Sequence, residues 1–195
     1  MKLIIGLGNI GEEYMLTRHN IGFMCLDQFT RDKNLSFSKG KMFVFAQYKN
    51  TVLIKPTTYM NRSGLSLLEA RQKWNVEETL VISDDIELPV SEIRIRTGGG
   101  DGGHNGIASL LEHTEGLDLK RLRIGIGRGP GMDVSSYVLA PIPDEEMTII
   151  TNSIKQASSF LETYIRDGFV CMLDEFSRWK KQNNRGGGIC STILE

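Results

Sequence analysis

His19 in "TRHN", Asp84 in "TLVISDD" and His104 in "GGGDGGHNG" are the residues of this sequence best suited to moving a proton. A histidine beside a carboxylate is a general-base arrangement. The carboxylate fixes the tautomer and stabilises the imidazolium as the ring takes a proton from water. Asn9, Asn61 and Asn105 add amides that can hold that water and donate to a developing oxyanion. A covalent route has no obvious nucleophile, since G-x-S-x-G does not occur. Nor do His19, Asp84 and His104 show the paired spacing of a metal site. Each residue also has a plainer use: His19 as an ordinary surface or core histidine, Asn9 as a turn residue beside glycines, Asp84 as a cap on the next turn. His113 reads as a helix C-terminal residue and Cys25 as core.

Such a site needs elements that bring distant residues together. "KLIIGLG" reads as a buried strand, and "FVFAQYKNTVLIKP" as two strands of a hairpin turning at Lys49-Asn50. A helix is expected over Gly64 to Trp74. "TLVIS" is another buried strand, "EIRIRT" alternates strictly, "IASLLEH" is helical and "LRIGIG" is a further strand. Apolar residues from Ile149 to Ile165 recur at three- and four-residue intervals. They predict a long amphipathic helix starting at Asp144, broken at Asp167-Gly168 and followed by a second helix to about Lys181. The whole reads as one α/β domain, residues 1–183, with a twisted mixed β-sheet flanked by helices, and a flexible tail over 184–195. In open α/β sheets ligands bind beyond the carboxyl ends of the strands, where Asn9, Asn61 and Asp84 all fall.

"GLGNIG", Gly6 to Gly11, matches the dinucleotide fingerprint G-x-G-x-x-G after a strand. That fingerprint also needs a helix opening at the glycines and an acid ending a second parallel strand about 20 residues on. Asp27 has the offset but lies in a helical pattern, and the next strands form a hairpin. A nucleotide-dependent oxidoreductase therefore rests on Gly6, Gly8 and Gly11 alone.

With 195 residues, 40% of them hydrophobic, the chain can build one sizeable core. Three scattered cysteines without CxxC spacing suggest neither a disulfide framework nor a zinc site, and free cytosolic thiols are the expectation. The apolar start is too short for a signal peptide or membrane span, so a cytoplasmic protein is expected. A net charge of −1 means that a polyanion would have to be held by a local basic patch. Arg94 and Arg96 alternate with Ile93 and Ile95, as Arg121 and Arg123 do around Leu122, so each pair shares one face of its strand. From composition alone this is a solvated charged face.

Taken in order, "GLGNIGEEY", "TRHNIGF", "KPTTYMNRSG", "DDIELP", "GGGDGGHNG" and "RLRIGIGR" resemble the bacterial-type peptidyl-tRNA hydrolase family across residues 3–128. The resemblance implies hydrolysis of the ester between a peptide's C-terminus and the 3′-terminal ribose of tRNA. It implies His19 as catalytic histidine and Asp84 as its partner. Asn9, Asn61 and Asn105 would bind substrate, with His104, Tyr14 and Tyr59 lining the same site, and Arg96 and Arg123 would clamp a tRNA phosphate. The implied partner is the acceptor stem and 3′ end of peptidyl-tRNA; a monomer without metal or organic cofactor is expected. Ile10 stands where the family often has proline, Asp101 where it often has histidine, and the tail after Arg185 matches nothing in the pattern. A non-catalytic RNA-binding protein of the same fold is the alternative from another class.

Overall fold

Residues 1–114, 119–129 and 131–186 are described by the computed structural model of the chain. Its sheet has seven strands: β1 (Lys2–Gly6), β2 (Ser38–Lys39), β3 (Phe43–Tyr48), β4 (Thr51–Pro56), β5 (Glu78–Asp85), β6 (Ile93–Thr97) and β7 (Lys120–Gly125). They lie in the order β2-β3-β4-β1-β5-β7-β6. The four inner strands β4, β1, β5 and β7 run parallel, whereas β2, β3 and β6 pair antiparallel at the two flanks. The mixed sheet expected from the sequence is thus present, with the hairpin turning at Lys49-Asn50.

Period-two alternation splits the inner strands between two cores. Ile4, Leu53, Leu80, Ile82, Leu122 and Ile124 face the layer of α1 (Ile21–Asp32) and α5 (Asp144–Asp167), on which α6 (Phe169–Gly186) also packs. Leu3, Ile5, Val52, Ile54 and Val81 face α2 (Gly64–Lys73) and α3 (Asn105–Leu111) through Leu67, Ala70, Ile107 and Leu110. A sixth helix, α4 (Val134–Leu139), sits between β7 and α5 in the chain. Three acids, Asp144, Glu145 and Glu146, occupy the first turn of α5, where the partial positive charge of the helix end favours them. Gly168, at φ 94, ends that helix where a side chain would be strained. α6 runs on to Gly186, past the expected boundary at 183; residues 187–195 lie outside the described residues.

The glycines of "GLGNIG" serve close packing. A Cβ on Gly6 would run into the backbone of Gly22 in α1, and one on Gly8 into the ring of Phe23. α1 begins at Ile21, well past Gly11, and Asp27 lies within it. The arrangement that a dinucleotide fingerprint requires is therefore not formed here.

Candidate active site

Asp84 lies at the carboxyl end of β5 and is 3% exposed. His19 lies in a 3-10 turn, Arg18–Asn20, that leads into α1, and is also buried. Its Nδ1 lies 3.0 Å from Oδ1 of Asp84. Burial opposes ionisation of Asp84, but the imidazoles of His104 and His19 facing it outweigh burial and hold its carboxyl well below the usual carboxylate range. An ionised Asp84 makes Nδ1 of His19 the protonated nitrogen and leaves the lone pair on Nε2.

His104 approaches the same carboxylate from the opposite direction. It is the N-cap of α3, its Nδ1 accepting from the backbone N–H of Gly106 at 3.1 Å and Ile107 at 3.3 Å. An Nδ1 that accepts places the proton on Nε2, which donates to Oδ1 of Asp84 at 3.0 Å. Chain spacing offered no metal site, yet ligand atoms of His19, Asp84 and His104 all come within 4.8 Å of one another. The fold supplies the proximity that the spacing lacks. The hydrogen bonds assign these atoms differently, as two N–H donors converging on one carboxylate oxygen, with no lone pair from His104 left to face a cation.

A cavity of about 640 Å³ opens beside this cluster, beyond the carboxyl ends of the parallel strands. Asn9, Tyr14, His19, Tyr59, Asn61, Asp84, His104, Asn105 and Arg123 all line it, so nine of the ten candidate residues meet there. Asn9 is held from two sides. Its backbone N–H donates to Oδ1 of Asn20 at 2.7 Å, and its carbonyl accepts from Nδ2 of Asn20 at 2.9 Å. Its own Oδ1 accepts from the N–H of Met60 at 3.1 Å, which leaves its Nδ2 as the donor available to a ligand. Tyr59 is 68% exposed, and Asn61 and Asn105 are also exposed.

Arg96 is the candidate that the cavity leaves out. It is exposed on β6, opposite Arg121 of β7, just as Arg94 lies opposite Arg123. All four arginines therefore share one face of the sheet, but they do different things. Arg121 is buried and grips the glycine loop, donating to the carbonyls of Gly100 at 2.6 Å and Gly99 at 2.5 Å. Arg123 pairs with Asp85 at 2.8 Å and Arg94 with Glu92 at 3.6 Å.

The glycine loop reaches the site by an unexpected route. β6 is antiparallel, so it ends at Thr97 beside Lys120, the first residue of β7, at the far edge from Asp84. Residues 98–104 must cross back over the arginine face by about 13 Å, at roughly 3.3 Å per strand residue. Positive φ at Gly98, Gly99, Gly102 and Gly103 gives the loop its turns. Asp101 is built into them: its Oδ1 accepts from the N–H of Gly103 at 2.6 Å.

One wall of the cavity was not anticipated. Val134, Val138 and Leu139 of α4 give it an apolar side. The signal was present in "MDVSSYVL", where Asp133 precedes a run of helical spacing and accepts from the N–H of Ser136 at 3.1 Å.

Comparison with known proteins bears on what such a site does. The family profile described as peptidyl-tRNA hydrolase matches residues 3–185. A peptidyl-tRNA hydrolase of Bacillus cytotoxicus is 40% identical over 185 residues, covering 91% of this chain and all of the relative. One of Pseudothermotoga lettingae is 35% identical over 184 residues, covering 92% and 98%. The crystal structure of the peptidyl-tRNA hydrolase of Acinetobacter baumannii superimposes with a TM-score of 0.79 at 34% identity, covering 85% of this chain and 89% of the other.

Proposed function

The chain belongs to the peptidyl-tRNA hydrolase family, and from that membership we propose that it frees peptides from tRNA by a water attack that His19 activates. The observation that carries this reading is the buried pairing of His19 Nδ1 with Asp84 Oδ1 at 3.0 Å, on the wall of the cavity.

In the proposed reaction Nε2 of His19 removes a proton from water as the water oxygen bonds to the ester carbonyl carbon. The negative charge moves to the former carbonyl oxygen, where the Asn9 amide and the amides of Asn61 and Asn105 can donate to it. Collapse of this tetrahedral species breaks the bond to the 3′-terminal ribose oxygen. That oxygen leaves with the proton held by His19, so the histidine ends neutral. Asp84 remains ionised throughout and stabilises the transient imidazolium.

The substrate half of the reading follows from the cavity's two sides. The apolar wall of α4 suits peptide side chains, and the arginine face beside it suits the backbone of the acceptor stem. On this reading the protein acts as a monomer in the cytoplasm. Among the described residues no helix is long and apolar enough to cross a membrane. The experiment is release of peptide from a peptidyl-tRNA by purified protein, with folded His19→Ala run beside it. Turnover by the parent and its loss in the variant is the expected result; an active His19→Ala would overturn the mechanism.

A further inference from the structure

The residue immediately before His19 carries a full positive charge into the interior. The side chain of Arg18 is 5% exposed; its two terminal nitrogens and its planar face each have a separate partner, while Nε is buried without one. Nη2 pairs with Oε2 of Glu146 in the first turn of α5 at 2.8 Å, and Nη1 donates to the carbonyl of Pro141 at 3.3 Å. The guanidinium carbon stands 4.3 Å from the ring centroid of Tyr137 in α4. Tyr137 is itself tied down, its hydroxyl donating to the carbonyl of Ile126 at 2.6 Å.

The backbone repeats the same junction. Thr17 bridges Pro141, and Ile142 N–H donates to the carbonyl of Leu16 at 2.8 Å. The turn bearing His19 is therefore joined on its Arg18 side to the α4–α5 corner. On its Asn20 side it is joined to Asn9. α4 is also the apolar wall of the cavity, through Val134, Val138 and Leu139.

We propose that Arg18 is a positioning residue: it sets the height of His19 above Asp84 by clamping the His19 turn to the α4 wall, so the general base and the surface meeting the peptide move as one piece. This rests on His19 being the base. Arginine suits the role because one planar group serves an ion pair, a carbonyl and an aromatic face together. A lysine ammonium offers a point charge with no such plane. The effect on rate comes from geometry, since a misplacement of about 1 Å caused far from the reacting atoms can cost on the order of 10²-fold.

The test uses Arg18→Lys, Arg18→Met, Glu146→Ala and the Arg18→Met/Glu146→Ala pair. For each, kcat and KM on peptidyl-tRNA are measured with the proton resonance of the His19 Nδ1–H bonded to Asp84, at a temperature where denaturation curves show the variant folded. The expected result is a fall in kcat of about tenfold to a hundredfold with a smaller change in KM, and a shifted or broadened Nδ1–H resonance. The double variant should be no slower than Arg18→Met alone, because Glu146 acts through Arg18. A lowered denaturation midpoint with kcat and the resonance unmoved would assign Arg18 to stability alone and overturn the proposal. Should Arg18→Met fail to fold, Arg18→Lys and Glu146→Ala carry the same readouts. His19→Ala separates the two levels: if it is active the mechanism fails, whereas if it is dead and the Arg18 and Glu146 variants turn over normally, only the present inference fails.

Discussion

His19 and His104 each present an N–H to the same oxygen, Oδ1 of Asp84, at 3.0 Å, with their ring centroids 4.7 Å apart. The two rings use opposite nitrogens to do so, and the consequences differ for each. His19 keeps a basic Nε2. His104 has committed both nitrogens, one to Asp84 and one to the start of α3.

His19→Ala should lower kcat by about 10²–10⁴-fold, the usual contribution of a positioned general base. Affinity for tRNA should change little and the fold should be retained, since Asp84 keeps its hydrogen bond from His104. Steady-state kinetics alongside tRNA binding checks this, and wild-type kcat in a folded variant would contradict it.

Asp84→Asn should reduce turnover by about 10²-fold or more, because an amide can offer Nδ2–H to His19 and favour the wrong tautomer. It also changes acid stability. The folded pKa of Asp84 is depressed below its unfolded value of about 3.9. Between the two values the unfolded chain binds a proton that the folded chain does not, so stability from this group is present above that window and is lost as pH falls through it. The variant should show a flatter loss of urea midpoint below about pH 4 than the parent; an equally steep loss would count against the assignment.

His104→Ala removes an N-cap as well as a donor to Asp84. Loss of such a cap costs about 1 kcal/mol, so a modest drop in stability is expected with a smaller fall in kcat than for His19→Ala. Amide exchange at Gly106 and Ile107 should accelerate, which a change confined to the carboxylate would not produce.

Arg96→Ala and Arg123→Ala test whether these side chains pair with tRNA phosphates. Removing one arginine that neutralises a phosphate should reduce the slope of log affinity against log salt by about 0.7–0.9. Arg96 is exposed, whereas Arg123 is already paired with Asp85. Asp85→Asn should accordingly strengthen binding of deacylated tRNA by releasing Arg123. Equal losses by the arginine variants on full-length and minimal ester substrates would assign them to the fold or the chemistry.

Arg121→Met should free the glycine loop, since two charge-assisted bonds to Gly99 and Gly100 go with it. A loss of about 2 kcal/mol or more is expected, with KM rising more than kcat falls. Arg121→Lys cannot span both carbonyls and should resemble the methionine variant. Unchanged KM would show that the loop holds its shape unaided.

The hairpin turning at Lys49-Asn50 and the break at Gly168 were legible because each depends on neighbours in the chain. So was the convergence of Asn9, Asn61 and Asp84, since the inner strands read as buried and strand ends collect ligands. The path of the glycine loop was not legible. It depends on β6 pairing antiparallel to β7, a strand that follows it by more than twenty residues. The same non-local pairing separates Arg121 from Arg123. Alternation places both on one face, but only the loop folded across that face turns Arg121 inward. That His19, Asp84 and His104 share one crevice was expected, but their convergence on a single carboxylate oxygen was not legible, as sequence spacing carries no information about a cap that faces a strand end from another element.

While it is being translated, this chain is itself a peptidyl-tRNA. Arg18 and His19 emerge early, but the partners of Arg18 are Pro141 and Glu146, and the cavity wall is α4. β5, which carries Asp84, has β7 as its second neighbour, from still later in synthesis than β5 itself. A nascent chain that has not yet exposed the start of α5 therefore holds the candidate residues His19 and Asp84 without the contacts that Arg18 makes to Pro141 and Glu146. The site is therefore completed late in synthesis, once the residues of α4 and the start of α5 can pack against the His19 turn.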